Sequence, residues 1–313
     1  MNRFYILCPE GFVTGGTELA HQLCHEIIQN GYYAAMYYID RTGRSLLPVD
    51  AETPEKYRKY CDVHVTDFDE ADAAGNIVVV PESLTDWAFS FKHARIAVWW
   101  MSVDNFNYLS DLHYLMNLDS VAVYHLIQSM YAADFLRKRS IDEDKLYWLS
   151  DYIGDSYLQF VLPAQYRQDM ILYNPKKGLD ELKPLMERCG FVEWRALAGM
   201  TEEEMVLNMQ MAKVYIDLGN HPGKDRIPRE AVSCGCCIIT NKKGSAAFHE
   251  DVPMDEGYKF SAPLDYGLIE KRIREILDNY ESCFNDFAEY REMVKAEKEF
   301  FRADAAGFIR LFD

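Results

Sequence analysis

Apolar residues in this chain fall into short unbroken runs, separated by stretches where they return every third or fourth position. The runs at 3–8, 32–39, 77–81, 96–101 and 121–127 have the length of strands. Their lack of polar alternation predicts strands covered on both faces, as in a parallel sheet. After the first run comes PEGFVTGG, and then Leu19, Ala20, Leu23, Cys24, Ile27 and Ile28 recur at helical spacing before Gly31. That is a strand, a glycine turn and an amphipathic helix, with Thr17 or Gly16 expected to cap the start. Residues 83–93 and 128–140 predict further helices, 64–66 a short strand and 146–155 the last strand of the first half. His21 and His25 stand one helical turn apart and are expected on an exposed flank, whereas His125 lies inside a strand and reads as core.

The second half repeats the plan without repeating the sequence. A strand at 170–174 runs into Asn174, Pro175, Lys176, Lys177 and Gly178, then a helix over 179–190 that Pro184 is expected to kink. A strand follows at 191–199. Thr201 with Glu204 three residues on predicts a capping box and a helix to about 212. The apolar run 214–218 predicts a strand. Pro228 suits the first turn of a short helix that stops at Gly235, and 236–240 is the next buried strand. Residues 265–312 read as helical, with Ile269, Ile273, Ile276 and Leu277 on one face. Strands alternating with helices define an α/β protein with parallel sheets.

A chain of 313 residues is long for one core and predicts two domains, 1–165 and 166–313, joined through the polar stretch at 153–168. The net charge of −17 excludes a nucleic-acid footprint and broad attachment to an anionic bilayer, leaving at most peripheral membrane contact. No apolar run reaches the length of a transmembrane segment, and the N-terminal residues lack a signal-peptide pattern. Eight scattered cysteines read as reduced and the protein as cytoplasmic. Cys234, Cys236 and Cys237 lack the spacing of a metal site and read as small buried residues.

Candidate chemistry concentrates at 221–240. Lys224, Arg226 and Arg229 crowd the start of a helix, where free N–H groups and the helix dipole already favour an anion such as phosphate. Gly15 and Gly16 stand before the first helix in a similar relation. Asp104 and Asn105 follow a strand, at the end where open α/β sheets place ligand contacts. Trp99, Trp100, Phe106 and Tyr108 add aromatic surface nearby, with the tryptophans expected in the core. Asp40, an acid closing the second strand, keeps a dinucleotide enzyme open as an alternative.

The run from Arg229 through Glu230, Ala231, Cys234 and Gly235 to Thr240 resembles the nucleotide-sugar signature of retaining GT-B glycosyltransferases, of the family 4 type. The resemblance implies a GT-B-like fold, two Rossmann-type domains facing a central cleft, with the terminal helix returning to the first domain. It implies a metal-independent, hexosyltransferase-type enzyme with no cofactor beyond a nucleoside diphosphate sugar donor. The acceptor would be a saccharide or lipid-linked, in polysaccharide or glycoconjugate biosynthesis. By the same resemblance Glu230 holds the donor ribose, Lys177 with Lys224, Arg226 and Arg229 neutralises the diphosphate, Gly15 and Gly16 approach the donor, and Asp104 and Asn105 face the acceptor. The family's first glutamate, eight residues before Glu230, is replaced by Pro222. The adjacent His221 and the backbone of its loop are therefore expected to meet the donor sugar, His221 and Glu230 being the candidate catalytic pair. The alternatives are a non-catalytic sugar-nucleotide or glycan-binding module, a sugar-nucleotide epimerase, and an NAD-type oxidoreductase.

Overall fold

In the computed structural model, which describes residues 2–40, 42 and 45–313, the chain divides into two α/β units. The first comprises Met1–Asp151 with Glu299–Asp313, and the second Tyr152–Lys298. Parts of the polar stretch at 41–60 lie outside the described residues.

The first unit runs β1 (Arg3–Pro9), α1 (Gly15–Gln29), β2 (Tyr33–Ile39), α2 (Phe68–Ala71), β3 (Ile77–Pro81), β4 (Arg95–Trp100), α3 (Leu112–Val121), β5 (Ala122–Ile127), α4 (Met130–Arg137) and β6 (Leu146–Trp148). The second runs β7 (Gln168–Tyr173), α5 (Leu179–Arg188), β8 (Glu193–Ala196), α6 (Glu202–Met211), β9 (Ala212–Asp217), α7 (Arg226–Ser233), β10 (Cys237–Asn241), β11 (Lys259–Phe260), α8 (Tyr266–Asp278) and α9 (Tyr280–Asn285). The last helix, α10 (Ala288–Arg310), gives its first half to the second unit and its end to the first. There Phe308 packs against Phe4, and the Tyr147 hydroxyl donates to the Asp304 carbonyl.

Each unit is one parallel sheet, ordered β2-β1-β3-β4-β5-β6 in the first and β11-β10-β9-β7-β8 in the second. The central strands are buried on both faces, which is why they read as unbroken apolar runs. Strand order reverses between β1 and β3 and again between β7 and β9. At such a point the two exit turns lead away in opposite directions and leave a crevice at the carboxyl end of the sheet.

Several local expectations are corrected. Thr14, not Thr17 or Gly16, caps α1, and Thr17 completes a capping box with it. Residues 82–90 form 3-10 turns interrupted at Leu84 rather than a regular helix. At their start the Glu82 carboxylate turns inward to accept the Met101 N–H. His21 is wholly buried, held between the Thr17 carbonyl and the Tyr38 hydroxyl. The strand at 64–66 reduces to a single bridge between His64 and Met36. Within the stretch 153–168, Ile153 and Tyr157 lie in the second unit's core. The buried Arg167 guanidinium there donates to the carbonyls of Leu162, Ala212 and Cys234. No helix among the described residues is long and apolar enough to cross a membrane.

Burial pushes the Glu82 carboxyl up to about 7, partly offset by the N–H groups of Met101 and Ser102. A carboxyl raised on folding withdraws stability as pH climbs from its unfolded value through its folded one. Glu82→Gln, which keeps an acceptor oxygen, should therefore match the parent near pH 4 and gain on it by about 3 kcal/mol by pH 8. Urea unfolding at both pH values measures this, and a pH-independent difference would refute it.

Candidate functional site

In the second unit the exit turns of β7 and β9 meet at the reversal of strand order. Gly178 has φ +63, and a Cβ there would lie 2.5 Å from the Gly219 nitrogen. Both turns therefore need glycine to approach this closely. Asn241, at the end of β10, donates to the carbonyls of Leu218 and Gly219 and fixes the third turn beside them. Ser245 completes the frame: its N–H donates to the His221 carbonyl at 2.9 Å and its hydroxyl to the Gly223 carbonyl at 2.6 Å.

This frame delivers charged side chains to one place. Lys177 Nζ lies 2.6 Å from Asp225 Oδ2 and 3.6 Å from Asp217 Oδ2. His221 Nδ1 donates to the same Asp225 oxygen at 2.6 Å. Nε2 is buried without a hydrogen bond, 3.8 Å from Asp217 Oδ1. Asp217 is held in turn by the Gly219 N–H and the Tyr215 hydroxyl. Burial alone would push the Asp225 carboxyl up; the His221 hydrogen bond and the Lys177 ammonium outweigh it and hold the group below its ordinary value.

The α7 residues form a second layer. Arg226 Nε lies 3.5 Å from Glu230 one turn on, both with little exposure. Arg229 has no exposed surface; its guanidinium reaches Glu297 at 2.7 Å and the carbonyls of Asp225 and Lys224. Lys224 Nζ meets the other Glu297 oxygen at 2.8 Å.

The structure thus brings together Lys177, His221, Lys224, Arg226, Arg229 and Glu230. Two expectations change. Arg229 is a buried anchor of the loop rather than a group offered to an anion. The His221 ring is 1% exposed and engaged with Asp225, so its side chain orients that carboxylate rather than presenting itself at a surface. Sequence reasoning missed Asp217, Asp225 and Glu297. The first two were legible as acids closing a strand and preceding a helix; Glu297, 68 residues beyond Arg229, left no local signal. Asp217, His221 and Asp225 place ligand-type atoms within 4.8 Å of one another, the spacing of a metal site, with the Lys177 ammonium already among them.

Gly15, Gly16, Asp104 and Asn105 belong to the first unit, also at the carboxyl edge of its sheet. Gly15 and Gly16 open α1 rather than preceding it, and a Cβ on Gly16 would sit 3.8 Å from Met101 Cε, so the start of α1 lies beside the exit of β4. Asp104 accepts from the Tyr131 hydroxyl at 2.8 Å, and the Asn105 side chain hydrogen-bonds Glu82. Trp99 and Trp100 are core, their indole N–H groups donating to the Leu149 carbonyl and to His125.

No protein-family model and no curated protein matches this chain. Solved structures do. Sucrose-phosphate synthase from Thermosynechococcus elongatus superposes with a TM-score of 0.71 at 14% identity, over 100% of this chain and 98% of that one. Anabaena HepE, solved with UDP and glucose, gives 0.70 at 10% identity over 99% and 98%. A glycosyltransferase from Rickettsia africae gives 0.66 at 12% identity over 99% and 97%. At such identities the likeness is one of fold, and the fold is that of GT-B glycosyltransferases.

Replacing Glu297 by Gln removes the shared counter-charge of two cations, one of them with no solvent access. Breaking a buried pair from one side typically costs about 3–5 kcal/mol. Glu297→Gln is expected to lower stability toward urea by about 3 kcal/mol, and a loss below about 1 kcal/mol would show the network to be dispensable.

Proposed function

We propose that this chain is a metal-independent, hexosyltransferase-type glycosyltransferase. It moves a sugar from a nucleoside diphosphate donor to a saccharide or lipid-linked acceptor, with retention, in polysaccharide or glycoconjugate biosynthesis. The observation that supports the reading is the Lys177 ammonium of the β7 turn meeting Asp225 at the start of α7, beside the point where the second sheet reverses its order. Anabaena HepE, of the same fold, is solved with UDP and glucose, which supports a nucleotide-sugar ligand.

In this reading Lys177, Lys224 and Arg226 surround the donor diphosphate. When the bond from the anomeric carbon to the diphosphate breaks, charge grows on the leaving oxygen, and fixed cations there lower the barrier directly. Glu230 accepts hydroxyls of the donor ribose. The backbone of the 221–224 loop faces the donor sugar, with His221 behind it holding Asp225 and, through Asp225, the Lys177 ammonium. In the first unit, Gly15 and Gly16 leave the backbone open to ligand, and Asp104 and Asn105 serve the acceptor. Pro222, which offers no hydrogen-bonding side chain, favours a second reading: a module that binds the donor without turning it over.

A thermal-shift panel of nucleoside diphosphates and their sugars identifies the base. With that base, Arg226→Ala and Lys177→Met are expected to weaken the diphosphate by about 30-fold or more, equivalent to about 2–4 kcal/mol, and the bare nucleoside far less. Calorimetry reads both, and equal diphosphate affinity in parent and variants would defeat the assignment.

Glu230→Gln should weaken the ribonucleotide while leaving its 2′,3′-dideoxy analogue unchanged, because an amide presents one acceptor where a carboxylate presents two. Sugar release from the donor by the parent protein decides between transferase and binding module: neither transfer nor hydrolysis across a broad acceptor set would leave only the module.

A further inference from the structure

Among the cysteines, two from distant parts of the chain stand sulfur to sulfur. Cys24 lies on the third turn of α1, and Cys61 follows the 3-10 turn Glu55–Tyr57. Their Sγ atoms are 2.8 Å apart, and both residues are buried, Cys61 retaining 4% of its surface.

Contacts on either side of the sulfurs hold them there. The Tyr57 hydroxyl donates to the Thr14 carbonyl and lies 3.1 Å from Thr17 Oγ1. Tyr60 donates to Glu18 at 3.0 Å, Lys56 pairs with the same carboxylate, and His25 Nδ1 donates to the Tyr60 carbonyl. Just beyond Cys61, Val63 and Val65 exchange backbone hydrogen bonds with Met36 of β2. The segment is therefore anchored to α1 before the sulfurs and to β2 after them.

Cys61 also differs in character from the other thiols. Burial pushes the Cys8 and Cys236 thiols up to about 12 and Cys189 up to about 11. Cys24 is likewise raised by burial, whereas Cys61 is held below its ordinary value, first by the hydrogen bond from Cys24 and then by backbone hydrogen bonding at Val63 and Met36. Cys61 keeps 4% of its surface where Cys24 keeps none, so Cys61 is the thiol an oxidant meets first and Cys24 is its resolving partner.

We propose that Cys24 and Cys61 are a reversible modification site: an intramolecular dithiol that closes to a disulfide when the protein meets a peroxide, stapling the segment ending at Cys61 to α1. The Cys61 thiolate attacks a peroxide oxygen; the O–O bond breaks, hydroxide leaves and Cys61 becomes a sulfenic acid. The Cys24 sulfur then attacks the Cys61 sulfur, the S–O bond breaks, and the hydroxide leaves as water with the Cys24 proton. Two thiols give up two electrons, and the peroxide is reduced to two waters. The closed loop spans 37 residues of sequence and contains β2, so its closure removes freedom from the unfolded chain. The staple bears on Thr14 and Thr17 through Tyr57, and these residues cap α1 immediately beside Gly15 and Gly16.

The test is peptide mapping of the native, full-length protein after hydrogen peroxide treatment and alkylation of the remaining thiols. The parent is expected to lose two of its eight thiols, to lose about 2 Da, and to yield a linked peptide containing Cys24 and Cys61 that dithiothreitol separates. Its unfolding temperature should rise by about 3 °C or more on oxidation, and should not rise in Cys24→Ala or Cys61→Ser. Recovery of both cysteines alkylated, or a linkage to any other cysteine, overturns the proposal. The parent's peptide map decides the matter even if a variant fails to fold.

Discussion

The second unit depends on one close contact, between the turn at Gly178 and the turn at Gly219. Parallel strands send every exit turn to the same edge of a sheet, but adjacent turns normally keep a side chain's width between them. Here there is no room for a Cβ on either side. That approach brings Lys177, which belongs to the β7 turn, within hydrogen-bonding distance of Asp225, which belongs to the β9 turn. The reversal of strand order opens the crevice, and the paired glycines narrow its floor until charges from two separate turns act as one group.

That group is close to electrically balanced within itself. Lys177 faces Asp225 and Asp217, Lys224 and Arg229 share Glu297, and Arg226 faces Glu230. In a chain of net charge −17, cations left without counter-charges would be costly to gather, and the carboxylates hold them in position. The layers differ in access. Arg229 and Glu297 have almost none and act as a fixed strut between α7 and α10, whereas Lys177 and Arg226 retain part of their surface. An incoming anion would meet cations already oriented, so little reorganisation would accompany binding.

The first unit uses the same geometry with different chemistry. Its exit turns present a glycine pair, the buried Glu82 carboxyl, and the Asp104–Asn105 turn, with no cluster of cations among the described residues. Glu82 ties the β3 exit to the β4 exit by accepting the Met101 N–H. Each sheet edge is thus built around a buried carboxylate: one holds a turn in place, the other holds cations.

Local sequence determined the elements and the polarity of the two edges. Unbroken apolar runs require strands covered on both faces, three-to-four spacing requires helices between them, and short-range cues such as Thr201 with Glu204 or Gly235 after α7 suffice to mark ends. Such signals depend on neighbours within a turn or two, so they can be read along the chain. Tertiary structure alone decided which charges meet. Arg229 reads as a cation at a helix start until Glu297, from a helix far along the chain, covers it completely. His221 reads as an available side chain until Asp225 and the turn at Ser245 draw it inward. Cys24 and Cys61 read as scattered thiols until α1 and the returning segment place them together. The reason is common to all three: burial and pairing depend on distance in space, and folding sets that distance between residues whose separation in sequence carries no trace of it.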